Sequence, residues 1–366
     1  MKILVAARGN YPLVRHRATA MAKMGHEVIV ATMHPDTSPP SEYEQVCLPS
    51  AGAGGLTYLG AAWRLRQLFR RLDPDLVDAH GATSYGFASA LVTVDAPMLL
   101  TLYGSDLYAH ARGSAVLTQL ARIALRRADV VYGSTADIQP LAESVAKRSL
   151  HGRFISLPWG VPVYDDVLRS APGSGGEETV IIHPRRVDPH WRISHLIHAV
   201  ALAQEAGDAR FRLDLIYPAP TSEERDHLSA LLREAETADV NVRDVGPLDH
   251  ATLCERMRTS DVFASAARED MLSNSLLEGM LYGCIPIVSD LAAYRSAQDR
   301  WDVRYWPADP DDAPAWSRHL ATAHRMATAE RAELAAHNAK AVSSNSGVSE
   351  MTAQLLDRVT SAISRP

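Results

Sequence analysis

Short apolar runs alternate along this chain with longer stretches in which apolar residues recur every three or four positions. In the first half the runs lie at 2–7, 27–32, 45–49, 76–80, 97–103, 130–134 and 153–159, with helix-period stretches at 13–24, 56–71, 115–127 and 137–147. The second half repeats the scheme. Its apolar runs are 179–183, 211–217, 240–245, 262–266, 285–289 and 303–306, and its helical stretches are 193–205, 222–238, 250–258, 273–282, 313–326 and 328–342. A last helical pattern at 348–363 carries Met351, Leu355, Leu356, Val359 and Ile363 on one face. Continuous apolar strands spaced by amphipathic helices predict βα units and parallel sheets covered on both faces. Residues 165–178 contain Ala-Pro-Gly-Ser-Gly-Gly and no apolar period, the composition of a hinge. The expectation is therefore an α/β protein of two Rossmann-like, doubly wound domains, 1–168 and 169–346, followed by a terminal helix at 347–366. In such folds the carboxyl ends of the strands carry the ligand site.

Composition narrows the class. With 366 residues, 46% hydrophobic and 22% charged, the chain is globular, which excludes wholesale disorder, collagen-like repeats and coiled coil. No apolar run approaches the ~18 residues of a membrane span, and the start MKILVAARGNYP lacks the pattern of a signal peptide. Cys47, Cys254 and Cys284 are widely spaced and in no CxxC, so neither a disulfide framework nor a zinc site is expected. A cytoplasmic protein is the resulting expectation. Net charge is −6, and residues 1–170 carry 17 Lys and Arg against 14 Asp and Glu, so the acid excess lies in the second half. Neither half has the basic excess that nucleic-acid binding requires. The first strand runs into Ala-Arg-Gly-Asn-Tyr-Pro without a GxGxxG, which argues against a nicotinamide site.

Three segments can carry chemistry. Residues 265–290 read strand, polar loop, helix, glycine stop, strand. Ser273 or Ser275 can cap the helix, whose free N–H groups make an anion site. Asp270 precedes that helix and Glu278 lies about a turn inside it, so two carboxylates flank one anion-binding helix end. Acids there suit the hydroxyl donors of a sugar better than a phosphate alone, although a capped core helix with a solvated acid would show the same spacing. The second segment, Arg185-Arg186-Val-Asp-Pro-His-Trp-Arg192, follows the first strand of the second domain, where bidentate guanidinium groups suit phosphate. A surface salt-bridge cluster would read alike. In the third, His80-Gly81 ends one strand and Thr101-Leu-Tyr-Gly-Ser-Asp106 follows the next. Gly104 permits close backbone approach and Asp106 can position or deprotonate an acceptor group.

The order of GHEVIVAT, PDLVDAH, TLYGSDL, RADVVYGST, LPWGV, HPRR, DVGPL, DVFASA and D-x7-E-G-M-x-x-G-x-x-P-I-V resembles glycosyltransferase family 4 over nearly the whole chain. The resemblance implies the GT-B architecture, two Rossmann-like domains facing across a cleft, with the last helix returning to the first domain. It implies a retaining, metal-independent transfer of a hexose from a nucleotide-diphosphate sugar, a UDP-sugar being the expected co-substrate with no further cofactor. In the family an E-x7-E motif holds the donor. Asp270 matches the acid that contacts hexose hydroxyls and Glu278 the acid that contacts ribose, with Met271, Leu272, Ser273, Asn274 and Ser275 between them supplying phosphate-binding amides. Arg186 matches the arginine of the family's phosphate-binding Arg and Lys. Trp191 stands where the lysine would be, and Arg192 is beside it. Arg186 and Arg192 are thus expected on the departing diphosphate. On the acceptor side the resemblance points to Tyr11, Arg15, His16, His80, Tyr103, Gly104 and Asp106, with Tyr103 where a histidine is common and without the Gly-Gly of the first loop. The expected partners are a nucleotide sugar and a small-molecule, glycan or lipid-linked acceptor. No nucleic-acid partner is expected, and at most peripheral membrane contact, through basic stretches at 63–71 and 122–127. Other GT-B chemistry on a nucleotide sugar (epimerisation, or transfer to sulfur, selenium or nitrogen) and a non-catalytic binding role are the alternatives.

Overall fold

The computed structural model describes residues 1–48, 56–92, 95–107, 113–163, 178–207 and 209–364. The hinge read at 165–178 lies outside them except for its last residue, as does the 168/169 boundary. The chain divides into two compact units, Met1–Pro162 with Ser346–Pro366, and Val163–Asn345.

The first unit is a parallel sheet of β1 (Lys2–Ala6), β2 (Glu27–Thr32), β3 (Glu44–Cys47), β4 (Leu76–His80), β5 (Met98–Thr101), β6 (Val130–Gly133) and β7 (Phe154–Ser156), in the order β3-β2-β1-β4-β5-β6-β7. Around it lie α1 (Pro12–Lys23), α2 (Leu56–Leu72), α3 (Gly86–Ala90), α4 (Ala115–Arg127) and α5 (Ile138–Ala146). Pro12 opens α1, where its missing N–H costs nothing. β4 is buried along its whole length, as a strand sandwiched between helix layers must be. The final helix, Val348–Ile363, belongs to this unit. Its Leu355, Leu356 and Val359 enter the same core as Ile3, Val5, Val14, Ala18 and Met21. Entry to that helix is clamped by Val161 N–H to the Ser346 carbonyl at 2.7 Å and Val348 N–H to the Val161 carbonyl at 3.0 Å.

The second unit is a parallel sheet of β8 (Glu178–His183), β9 (Arg210–Ile216), β10 (Asn241–Gly246), β11 (Val262–Ser265), β12 (Ile285–Ser289) and β13 (Trp306–Ala308), in the order β10-β9-β8-β11-β12-β13. Its helices are α6 (Ile193–Glu205), α7 (Ser222–Thr237), α8 (His250–Arg258), α9 (Asn274–Leu281), α10 (Ala292–Trp301), α11 (Ala313–Arg325) and α12 (Thr328–Asn345). Two elements of this unit depart from the sequence reading. Helix α10 was not expected, because its buried face is made of Ala293, Tyr294 and Ala297 rather than large aliphatics. The last strand was expected at 303–306 but pairs only from Trp306 onward. Asn338 on α12 explains the shift: its side chain accepts from the Arg304 N–H at 2.7 Å and donates to the Arg304 carbonyl at 2.8 Å, taking the backbone groups a ladder would need.

Candidate active site

Both sheets reverse chain order beside their first strand, between β1 and β4 in the first unit and between β8 and β11 in the second. Connections there leave in opposite directions, so the carboxyl ends of these strands frame an open crevice. In the second unit the last residues of β8, β11 and β12 are His183, Ser265 and Ser289, all buried. His183 Nδ1 sits 2.8 Å from the Ala264 carbonyl, while His183 Nε2, Ser265 Oγ and Ser289 Oγ have no hydrogen-bond partner among the described residues. Burial pulls the His183 pKa down to about 4, with the charge of Arg185 adding to it, so the ring is neutral. Its Nδ1 therefore donates and its Nε2 presents a lone pair. Unsatisfied buried polar atoms are costly, and they gather here at the switch point.

The arginine loop follows β8 directly. Arg185 Nη2 reaches Asp270 Oδ2 at 2.7 Å, and the guanidinium lies over the Trp191 ring with Cζ 4.5 Å from its centroid. Tyr294 on the unexpected α10 also donates to Asp270 Oδ2, at 2.7 Å. One oxygen of Asp270 is thus held twice, while Oδ1 has no hydrogen bond among the described residues. Arg186 is the more exposed arginine, 44% against 11% for Arg185, and pairs with Glu224 Oε1 at 2.6 Å. Glu224 also closes the capping box of α7 with Thr221. Burial works against its charge, but the Thr221 N–H and Arg186 outweigh burial and lower its pKa. Arg192 holds a left-handed backbone, φ +53°, between a short 3-10 turn and α6. Its side chain binds the Pro310 carbonyl at 2.5 Å and Asp311 at 2.8 Å.

Helix α9 starts where expected, and Ser273 rather than Ser275 is its cap: Ser273 Oγ accepts from the Leu276 N–H at 3.2 Å. Ser275 Oγ is 3.3 Å from Ser273 Oγ. Met271, Leu272 and Ser273 are buried, and Asn274 and Ser275 open the helix. Glu278 is buried and bound through Oε1 to His250 Nε2 at 2.8 Å. Burial disfavours the imidazolium, yet hydrogen bonds to Cys254 and Glu278 raise the His250 pKa to about 10. Glu278 therefore faces a cation on one oxygen, and Oε2 has no hydrogen bond among the described residues. His250 was not singled out by the sequence reading. Its place one residue after the capping Asp249 gave no sign of a partner 28 residues away.

In the first unit His80 ends β4 with Nδ1 2.7 Å from the Tyr103 hydroxyl. Its Nε2 is 3.2 Å from Asp78 Oδ2, a close approach without hydrogen-bond alignment. Asp78 is fully buried. Burial would raise its pKa, but His80, Arg17 and the Thr101 hydroxyl outweigh that and lower it. Tyr103 stacks on Trp159 at 5.1 Å, and Arg17 lies over the other aromatic neighbours, 3.9 Å from Trp159 and 4.5 Å from Tyr132. Asp106 accepts the Tyr103 N–H at 3.0 Å, closing the turn in which Gly104 takes φ +74°. Gly81, φ +77°, lies against it: a Cβ there would be 3.4 Å from Asp106 Oδ1 and 2.4 Å from Ser84 Oγ. His80, Tyr103, Gly104 and Asp106 are thus one connected group. Tyr11 joins it edge-on to Tyr103, with centroids 5.9 Å apart. Arg15 points elsewhere, to Asp36 at 3.2 Å, and His16 is half-buried on α1. The basic stretches lie on α2 and α4, where Trp63 is 57% exposed beside Arg64. Among the described residues no helix is long and apolar enough to cross a membrane. None of their His, Cys, Asp or Glu side chains form a group of three or more able to hold a metal ion.

The family model described as glycosyl transferase 4-like matches residues 2–136. Solved structures extend the likeness over the whole chain. HepE from Anabaena, in complex with UDP-glucose, is 14% identical with a TM-score of 0.77, covering 99% of this chain and 100% of that one. Sucrose-phosphate synthase from Thermosynechococcus elongatus is 17% identical with a TM-score of 0.75 and the same coverage. The UDP-forming α,α-trehalose-phosphate synthase from Burkholderia vietnamiensis is 15% identical with a TM-score of 0.74, covering 100% and 99%. No curated protein sequence matches significantly. At these identities the structures establish the fold. The chain thus has the GT-B fold, and residues 2–136 within its first unit match the glycosyl transferase 4-like family.

Proposed function

We propose that this protein is a glycosyltransferase that moves a hexose from a nucleotide-diphosphate sugar to an acceptor, with retention of anomeric configuration and without a metal. One observation carries the reading: Asp270 and Glu278, on either side of the capped start of α9, are each anchored through one oxygen and leave the other for a ligand hydroxyl. Such half-satisfied carboxylates suit the sugar and ribose hydroxyls of a nucleotide sugar. HepE, a structural neighbour, is solved with UDP-glucose, which makes a UDP-sugar the first donor to try.

In the transfer, the bond between the anomeric carbon and the distal phosphate oxygen breaks while the acceptor oxygen bonds to the same face of that carbon. The departing phosphate oxygen takes the acceptor proton, and the nucleoside diphosphate leaves. Negative charge grows on that phosphate, so fixed positive charge near it lowers the barrier. Arg186, Arg192 and the first N–H groups of α9 are the groups that supply it. Arg186 already holds Glu224, so binding the diphosphate means sharing or exchanging that carboxylate. In the first unit Asp106, held by the Tyr103 N–H, orients the acceptor hydroxyl.

A thermal-shift screen of nucleoside diphosphates and their sugars, followed by mass spectrometry and anomeric NMR of the product, tests the reading. Stabilisation by UDP or a UDP-sugar and an α product from an α donor are expected, with activity unchanged by EDTA. Activity abolished by EDTA and restored by a divalent ion would contradict the metal-free step. Tight nucleotide binding with no transfer to any acceptor would mark a non-catalytic partner instead.

A further inference from the structure

We propose that the acceptor carries an anionic group, a carboxylate or a phosphate, and that Arg8 binds it. The inference rests on the transferase reading, with the first unit as the acceptor side. Arg8 lies two residues beyond the end of β1, beside the switch point between β1 and β4. Among the described residues its guanidinium has no ion-pair or hydrogen-bond partner, and its Nε is buried. It lies over the ring of Tyr11, with Cζ 5.0 Å from the centroid. The other arginines named above differ: in its own unit Arg15 is paired with Asp36, and in the second unit Arg185 is paired with Asp270, Arg186 with Glu224 and Arg192 with Asp311. A partly buried cation without a counter-charge is costly to keep, so its place at the carboxyl end of a central strand is that of an anion receptor.

The surroundings fit a ring-bearing ligand. Tyr58 packs edge-on to Tyr85 at 5.7 Å, and the Tyr85 hydroxyl is 3.0 Å from His34 Nδ1 and 2.8 Å from the Met33 N–H it accepts. Burial first, and then Arg8, keep His34 below its ordinary pKa, so it adds hydrogen-bonding capacity without a second charge. Tyr58 lies in the fields of both Arg8 and Asp106. An acceptor with its anion on Arg8 and its body along Tyr11 and Tyr58 therefore directs a hydroxyl toward Asp106. The guanidinium fork matches carboxylate and phosphate alike.

The test uses the full chain and calorimetry with inorganic phosphate, glucose 6-phosphate, glucuronate and neutral glucose, in the presence of saturating UDP. The parent is expected to bind at least one anion better than glucose. Arg8→Gln should lose that preference by about tenfold or more, the range for a charge-assisted bond, with UDP affinity unchanged. Arg8→Lys should recover part of it. Because Arg8 supports no described contact beyond Tyr11, Arg8→Gln should melt no lower than the parent, and Arg8→Lys serves the comparison if it does. Glucose binding as well as all three anions, or Arg8→Gln keeping the preference, overturns the proposal. A loss of UDP affinity in Arg8→Gln assigns the guanidinium to the donor diphosphate and overturns it too. Anion binding through Arg8 in a protein that binds no nucleotide sugar would leave the anion site standing and sink the transferase reading, and the acceptor assignment with it.

Discussion

His250 and Glu278 form the pair with the clearest pH signature. Binding raises the His250 pKa from the ordinary 6.5 to about 10. A raised folded pKa stabilises the fold fully below the unfolded value and is lost as pH climbs through the folded one. Denaturant unfolding of the parent should therefore lose on the order of 2–4 kcal/mol relative to His250→Gln between pH 6.5 and 10. A parallel pH dependence in the two proteins would refute the ion pair. The acids should separate by role. If Glu278 takes the ribose as proposed, Glu278→Gln is expected to weaken UDP binding by roughly 1.5–3 kcal/mol, since that contact would be lost with or without a sugar. Asp270→Asn should spare UDP binding, lower turnover, and also lower the melting point because Arg185 loses its counter-charge. Calorimetry and initial rates on both variants decide it, and equal behaviour of the two would remove the division of labour.

At the scale of elements, α9 is set by one cap and one close approach. Ser273→Ala should cost about 1 kcal/mol in chemical denaturation, while Ser275→Ala, which removes no cap, should cost far less. The reverse order would move the cap. Gly279 brings α9 against β11: a Cβ there would meet Phe263 Cδ2 at 2.8 Å. Gly279→Ala should therefore destabilise by about 1–3 kcal/mol through overpacking, despite alanine's better helix propensity. A stabilised variant would show that the helix can lift without loss. These elements were legible to different degrees. The aliphatic strands and the 273–282 helix stand out in the sequence because large side chains recur at fixed period. Helix α10 does not, since Ala293 and Ala297 carry little hydrophobic signal, and the 303–306 strand is displaced by Asn338, 34 residues away.

At the scale of the whole chain, the final helix returns to the first unit through a tight passage. Gly160 has φ +86°, and a Cβ there would sit 2.6 Å from Val348 Cα. Backbone cannot yield as a flexible side chain can, so Gly160→Ala should destabilise by roughly 3 kcal/mol or more. Unfolding followed by circular dichroism reads this directly, and a melting point equal to the parent's would mean the passage is not needed for stability.

The sequence by itself determined the alternation of strand and helix, the two α/β units and the residues at strand ends, because each depends on neighbours in the chain. It also brought Arg186, Asp270, Glu278, His80 and Asp106 into view as candidate chemistry. The partners of those groups were decided only by tertiary structure. Placing β8 beside β11 joins Arg185 to Asp270 across 85 residues, and α10 adds Tyr294 to the same oxygen. Packing of α8 beside α9 gives Glu278 its imidazolium. Arg15 and Arg8 look alike in the sequence, yet one has a carboxylate and the other none among the described residues. Periodicity is a local property of the chain, whereas the charge that faces a given side chain depends on which strands become neighbours.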